Sequence, residues 1–122
     1  MYPFSKYHGL GNDFLIIDRR NVSKDEIKSF PSINFVKRLC NRNFGVGADG
    51  LILVLPPNKQ GNYLMRIFNS DGSEAEMCGN GIRCLISHLL DNKLISDIEP
   101  INIETKAGVI SASMNSNNDL KI

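Results

Sequence analysis

The chain has 122 residues, 42% of them hydrophobic and 22% charged, which is the composition of an ordinary globular protein with a single domain. Its formal net charge is +1 and its basic residues are scattered, so the composition favours neither nucleic-acid binding nor binding to a membrane surface. The near-neutral charge suits a small polar substrate better than a polyanion. No run of residues approaches the roughly 18 apolar positions that a transmembrane helix needs.

The cysteines and the amino-terminal residues indicate a reducing compartment. There are three cysteines, Cys40, Cys78 and Cys84, and they contain no C-x-x-C pair. Residues 1–6 lack the apolar run of a signal peptide. We therefore predict a cytoplasmic protein with free thiols, each of them either a small buried hydrophobic group or a reactive group.

The first predicted elements are two strands joined by a tight turn. Residues 4–8 alternate weakly between apolar and polar, and residues 13–18 form a short apolar run between polar residues. Residues 9–12 between them contain two glycines, which permit a tight turn. Further on, residues 23–26 have the spacing of a capping box, which predicts a short helical turn.

A helix is predicted to begin at Pro31 and Ser32. Apolar residues recur after them at steps of three and four: Ile33, Val36, Leu39 and Cys40. The periodicity predicts one buried face, and it places Cys40 there as an inert core thiol.

The rest of the chain combines strands with one long helix. The predicted segments are, in chain order, a glycine-rich turn at 44–50, a buried strand at 51–55, a strand at 63–68, a turn at 69–72, an amphipathic helix from Gly81 to about Asn92, a hairpin of 101–105 and 109–114, a polar break at 115–119 and a strand starting at 120. Strands predominate and the helices interrupt them without a regular βαβ alternation, so the predicted class is α+β. The long helix is apolar over much of its surface, which suits a helix wrapped by a curved sheet.

The segment Met77-Cys-Gly-Asn-Gly81, where a loop leads into the long helix, is the best candidate for a reactive site. The first turn of a helix has backbone N–H groups without intrahelical partners and carries the positive end of the helix dipole. A thiol at such a position becomes more acidic, and the same N–H groups bind a carboxylate. Gly79 and Gly81 lack side chains, which predicts that a ligand can approach the backbone closely. A thiol base beside a carboxylate-binding backbone suits proton abstraction from the α-carbon of an amino acid, although a cysteine in this setting is about as often structural.

Other polar residues are weaker candidates. Asn12 follows the first turn and Asn69 ends a strand, so each is either a turn-forming residue or a rigid ligand at the rim of a pocket. Asp71, Glu74 and Glu76 could make a metal site, but acidic residues clustered in a loop are usually solvated and no histidine joins them, so we favour solvated side chains there. Cys84, six positions after Cys78, is predicted to pack inside the protein, and His88 to be structural.

Four segments in order and spacing resemble the first half of diaminopimelate epimerase. They are HGLGNDF at 8–14, GVGADG at 45–50, RIFNSDGSE at 66–74 and MCGNGIRC at 77–84. The resemblance runs from residue 4 to about residue 109, nearly the whole chain. The asparagine after the Cys-Gly pair separates this segment from the proline racemases, which have histidine there, and the cysteine separates it from the phenazine-type isomerases.

The resemblance implies a diaminopimelate-epimerase-like half, in which a mixed curled β-sheet wraps around a central helix. Residues 1–122 would be the amino-terminal domain of a two-domain epimerase, with the active site in a cleft between two similar halves. The implied reaction interconverts L,L- and meso-diaminopimelate in lysine biosynthesis, with neither pyridoxal phosphate nor a metal ion. Two cysteines act on opposite faces of the substrate α-carbon, one removing a proton and the other donating one.

The resemblance also implies residue roles. Cys78 matches the first catalytic cysteine, and Asn12 and Asn69 match substrate-binding asparagines. Gly79 and Asn80 match the residues whose backbone amides hold the α-carboxylate. Gly50 stands where some family members carry a glutamine in the substrate pocket.

On this resemblance, the carboxy-terminal domain and its second cysteine are expected outside this sequence, so the implied partners are diaminopimelate and either that missing half or a second chain. Two alternatives remain open. The chain is a non-catalytic truncated domain that folds or binds a partner, or it belongs to a related racemase or isomerase of the same fold. The isolated chain is expected to be inactive.

Overall fold

The secondary structure was obtained from a computed structural model, which describes residues 4–9, 11–21, 30–96, 99–114 and 119–121. These residues form the helices α1 (Ile33–Cys40) and α2 (Gly79–Asp91) and the strands β1 (Ser5–His8), β2 (Asp13–Asp18), β3 (Gly50–Leu55), β4 (Tyr63–Asn69), β5 (Glu74–Ala75), β6 (Ile101–Thr105), β7 (Gly108–Met114) and β8 (Leu120–Lys121). Neither helix is long and apolar enough to cross a membrane.

The α+β prediction is confirmed, and most predicted elements are present within one or two residues of their expected bounds. The long helix begins at Gly79, two residues earlier than predicted. The two-residue strand β5 was not predicted. The capping box at 23–26 and most of the polar break at 115–119 lie outside the described residues.

The strands form one mixed sheet in the order β1-β2-β3-β4-β6-β7-β8, with β5 paired to β4. Strands β2 and β3 are parallel, as are β4 and β6, and the remaining pairs are antiparallel. Phe14 near the start of β2 pairs with Gly50 at the start of β3, and Gly50 pairs with Asn69 at the end of β4. The start of β2, the start of β3 and the end of β4 therefore lie at one edge of the sheet, called the site edge below.

Alternating side chains give the sheet two apolar faces, because successive residues of a strand point to opposite sides. The larger core packs around α2 and includes Phe14, Ile16, Ile52, Val54, Met65, Ile67, Ile82, Leu85, Ile86 and Leu89. The smaller core lies on the other face against α1 and includes Leu15, Ile17, Leu51, Leu53, Leu55, Val36 and Cys40. Strands β1 and β7 are far apart in the strand order, yet both contact α2. The sheet therefore curls around this helix, as predicted.

Helix α1 begins where the sequence indicates, but its buried face is shorter than the periodicity predicts. The side chain of Ser32 caps the helix by accepting a hydrogen bond of 3.0 Å from the backbone N–H of Phe35. Val36 and Cys40 are buried, whereas Ile33 is 62% exposed. Including Ile33 in the buried face was wrong. Its side chain lies beside the turn at Gly72, where a Cβ would stand 2.5 Å from Cγ2 of Ile33, and it belongs to neither core.

A buried carboxylate holds the loop between β3 and β4. Glu104 of β6 is 4% exposed and accepts hydrogen bonds from the backbone N–H groups of Asn58, Lys59 and Gly61. Burial alone would raise the pKa of Glu104, but these N–H donors lower it below its usual value. The carboxylate therefore remains ionised and fixes this loop at the end of the sheet opposite the site edge.

Candidate active site

The residues predicted to form a site meet at the site edge of the sheet. Asn12 immediately precedes β2, and Asn69 is the last residue of β4. By the alternation along each strand, Asn12 lies on the same face as Phe14, and Asn69 lies on the same face as Ile67. Both Phe14 and Ile67 belong to the core around α2, so both asparagines lie on the side of the sheet that α2 covers.

Cys78 lies at the amino terminus of α2, on this same edge. It is the N-cap residue, in extended conformation with φ −147° and ψ 122°, and its side chain makes no capping hydrogen bond. Its carbonyl accepts the first bond of the helix, from the N–H of Ile82 at 3.0 Å. The half-buried thiol packs against the core around α2 and is a free cysteine. The sulfur is therefore held at the start of a helix without being used to cap it.

The two glycines that flank Asn80 have different roles. A Cβ added to Gly79 would meet no atom within 4 Å, and Gly79 has ordinary helical geometry, so neither packing nor backbone conformation requires glycine there. Glycine loses more backbone entropy on folding than any other residue, and an open approach to the backbone is a reason to tolerate that cost. Gly81 is buried, and a Cβ there would lie 3.0 Å from Cδ1 of Ile67. The prediction that Gly81 opens the backbone to a ligand was wrong, because this glycine lets the helix pack closely on the sheet.

Asn80 joins the helix to the first turn of the chain. Its side-chain Nδ2 donates a 2.7 Å hydrogen bond to Oδ1 of Asn12. The turn also packs tightly on Asn80, since a Cβ on Gly9 would lie 3.1 Å from the Asn80 Cβ. Two of the predicted site residues, Asn12 and Asn80, are thus in direct contact although 68 positions separate them in the sequence.

Two aspartates and an arginine support Asn12 from the other face of the sheet. Oδ2 of Asp49 accepts hydrogen bonds from Asn12 Nδ2 at 3.4 Å and from the backbone N–H of Asp13 at 3.0 Å. The Arg42 guanidinium bridges the two carboxylates, at 2.9 Å from Asp13 and 3.1 Å from Asp49. Lys6 adds an ion pair of 3.2 Å to Asp13. The hydrogen bonds from Arg42 hold the pKa of the buried Asp13 carboxyl well below its usual value, so this carboxylate is ionised at neutral pH.

Asn69 is exposed and lies in the turn that follows β4. Its Nδ2 donates to Oγ of Ser73 at 3.0 Å, and the hydroxyl of Ser73 donates to Asp71 at 2.6 Å. Glu74 forms a bidentate ion pair with Arg66 at 2.9 Å. Asp71 and Glu74 therefore already have protein partners, and no group of three potential metal ligands occurs among the described residues.

Gly50, which the resemblance places where some members of the family carry a pocket glutamine, is a packing position. It is buried in β3, and a Cβ there would lie 2.6 Å from the carbonyl oxygen of Phe68 and 3.0 Å from the ring of Phe14. A side chain at this position requires the backbone to shift. The residue before Gly50, Asp49, carries a polar group at the site edge, and we did not predict a role for it from the sequence. The sequence signal that could have indicated one is a carboxylate within a glycine-rich segment that precedes a buried strand.

The other two cysteines lie in the cores. Cys40 is 3% exposed in the core against α1, and Cys84 is 1% exposed in the core around α2. Burial raises the pKa of the Cys40 thiol, and it raises that of Cys84 to about 11. His88 is also buried on α2, where burial lowers its pKa and its ring meets Tyr7 edge-on at 5.8 Å. The structural interpretation of all three residues fits these surroundings.

We expect Cys78 to be alkylated first. At neutral pH, limiting iodoacetamide should label Cys78 well before Cys40 and Cys84, because the latter two are buried and only the thiolate reacts. Peptide mass spectrometry of time points gives the order of labelling. In guanidinium the three rates should converge. Equal rates in the folded chain would show that Cys78 is not the accessible thiol.

Comparison with known proteins gives the family of the chain. The family model described as Diaminopimelate epimerase matches residues 4–122. A diaminopimelate epimerase of Prochlorococcus marinus (strain NATL1A) is 56% identical over 119 residues, which cover 98% of this chain but 42% of the relative. The chain therefore spans less than half the length of this curated relative.

Solved structures agree on the fold at low sequence identity. A probable proline racemase from Agrobacterium radiobacter K84 superposes with a TM-score of 0.72 at 15% identity, over 94% of this chain and 38% of that one. A hydroxyproline epimerase from Agrobacterium vitis superposes with a TM-score of 0.68 at 16% identity, over 89% of this chain and 36% of that one. Both comparisons support the fold that the sequence predicts.

Proposed function

This chain belongs to the diaminopimelate epimerase family, and from that premise we propose that it supplies one half of an active site that interconverts L,L- and meso-diaminopimelate. The protein would act in lysine biosynthesis in the cytoplasm. The chain would work with a second half, carried by a further segment of the same protein or by a second chain. The observation that supports this proposal best is the position of the Cys78 thiol. It lies at the start of α2, makes no capping hydrogen bond, and is next to the open backbone of Gly79.

In the proposed reaction, Cys78 acts on one face of the substrate α-carbon. As a thiolate it removes the α-proton, and a thiol on the opposite face delivers a proton to the same carbon, which inverts it. In the reverse direction the two sulfurs exchange roles, so each turnover leaves one thiolate and one thiol. No external oxidant, reductant or cofactor is needed to balance these steps.

The amino terminus of α2 would bind the α-carboxylate. The first intrahelical bond is donated by Ile82, so the N–H groups of Gly79 and Asn80 precede the regular helical bonding. These groups and the positive end of the helix dipole favour an anion. A carboxylate held there becomes more negative as the α-proton leaves, so the interaction strengthens in the transition state.

Asn12 and Asn69 would contact the polar groups of the substrate. Both lie at the site edge on the α2 side of the sheet, and both amides bond to neighbouring residues that fix their orientation. Amide side chains can both donate and accept, which suits an amino acid that carries ammonium and carboxylate groups.

The test uses an enzyme of the relatives' full length, made by placing residues 4–122 in the matching position of the Prochlorococcus marinus (strain NATL1A) relative. This protein is called the full-length enzyme below. Asn12→Ala and Asn69→Ala should each raise KM for diaminopimelate, because each lost hydrogen bond to a charged group costs about 1.5–3 kcal/mol. Asn102→Ala, at an exposed position of β6, is the matched control and should leave KM unchanged. Unchanged steady-state kinetics in both site variants would reject the assignment.

A further inference from the structure

Asp49 connects the start of β2 with Arg42, which follows α1. Its carboxylate accepts from Asn12 Nδ2 and from the backbone N–H of Asp13, and its own N–H donates to the Asp13 carboxylate at 3.0 Å. Residues 13 and 49 therefore bond reciprocally, each N–H to the other carboxylate. Two carboxylates so close would repel each other, and the Arg42 guanidinium between them offsets this repulsion.

This arrangement fixes the direction of the Asn12 amide. A carboxylate can only accept hydrogen bonds, so the Nδ2 side of Asn12 must face Asp49. The Oδ1 side then faces α2, where it accepts the 2.7 Å bond from Asn80. An amide turned by 180° would place its oxygen against the Asp49 carboxylate and its nitrogen against the Asn80 donor, and both bonds would be lost.

We propose that Asp49, held by Arg42, is a positioning residue of the epimerase site: it orients the Asn12 amide and, through the Asn12–Asn80 bond, sets the amino terminus of α2 against the first turn. The proposal rests on the proposed function. Asp49 acts through Asn12 and does not itself touch the substrate. Catalysis by a thiol and backbone amides tolerates little displacement, since a misplacement of about 1 Å costs on the order of 100-fold in rate.

The test is a double-mutant cycle in the full-length enzyme. Asp49→Ala should lower kcat/KM for diaminopimelate by up to about 100-fold, because a misplacement of about 1 Å in an active site costs on the order of that much in rate. Asp49→Asn keeps an oxygen that can accept from Asn12, so it should lose less. If Asp49 acts through Asn12, the double variant Asp49→Ala/Asn12→Ala should be no slower than Asn12→Ala alone. Asp18→Asn is the matched control, because Asp18 also pairs with an arginine, Arg20, but at the opposite end of β2.

The outcomes separate this proposal from the proposed function. Additive losses in the cycle, or wild-type kcat/KM in Asp49→Ala, would overturn the positioning role while leaving the function intact. Wild-type kinetics in Asn12→Ala would also overturn the positioning role, because Asp49 is proposed to act through Asn12. Unchanged kinetics in both Asn12→Ala and Asn69→Ala, or inactivity of the full-length enzyme, would overturn the proposed function and this role with it. Thermal unfolding of every variant shows whether it is folded. If Asp49→Ala does not fold, the cycle is run with Asp49→Asn, where an additive loss again contradicts the proposal.

Discussion

Replacing Cys78 with alanine is expected to abolish turnover of diaminopimelate in both directions in the full-length enzyme. Loss of a positioned proton-transfer group typically costs about 10²–10⁴-fold in rate. The reverse reaction should fall equally, because the Cys78 sulfur accepts the proton as a thiolate in one direction and donates it as a thiol in the other. The measurement is kcat with L,L-diaminopimelate and, separately, with the meso form.

The matched control is Cys84→Ala, six positions further along the same helix. Cys84 is buried in the core around α2, so its replacement should lower stability slightly and leave kcat near the wild-type value. Thermal unfolding of both variants separates a loss of chemistry from a loss of fold. A Cys78→Ala enzyme with wild-type kcat would exclude Cys78 as the base.

Replacing Leu85 with alanine is expected to be among the most destabilising changes in the chain. Leu85 is fully buried on α2, the helix around which the sheet curls. A Leu→Ala change in a packed core costs about 2–5 kcal/mol, because it removes apolar contacts and leaves a cavity. A domain of this size is typically stable by about 5–15 kcal/mol, so the loss is a large part of the total.

Urea unfolding followed by circular dichroism measures this loss. Leu94→Ala is the matched control, since Leu94 follows the same helix but is 39% exposed. The control should change the free energy of unfolding by about 0.5 kcal/mol or less, as surface substitutions usually do. Equal losses in the two variants would contradict the placement of α2 at the centre of the core.

Elements with a strong local signal were predictable from the sequence. The alternation at 101–105 and 109–114 gave the β6–β7 hairpin, and the apolar run at 13–18 gave β2 with its observed bounds. Strand β5 has two residues, too few to show a period, and it exists because it pairs with β4. Ile33 fits the helical period but is exposed. Burial depends on which element packs against the helix, and the periodicity of one segment gives no information about its neighbour in space.

The sequence predicted the residues of a candidate site but not the hydrogen bonds that connect them. Local arguments favoured Cys78 and the amino terminus of α2, because the glycines and the helix start are adjacent in the sequence. The support of Asn12 by Asp49 joins residues 37 positions apart, and no local pattern reports such a contact. Gly79 and Gly81 look alike in the sequence, and only the packing of Ile67 against one of them separates their roles.

In the proposed reaction, Cys78 is one of two thiols that act on opposite faces of the substrate. Within the described residues neither other cysteine can be its partner. Cys84 lies about 9 Å along the axis of the same helix at 1.5 Å per residue and is buried. Cys40 lies in the core on the other face of the sheet.

The most direct test is α-proton exchange in deuterated water with L,L-diaminopimelate, comparing the 122-residue chain with the full-length enzyme. Sedimentation of the same samples gives the oligomeric state, because two copies facing each other would present Cys78 twice. We predict that the full-length enzyme places deuterium at the inverted carbon and that the folded, monomeric chain forms no meso product. Formation of meso-diaminopimelate by the monomeric chain would contradict the two-thiol account.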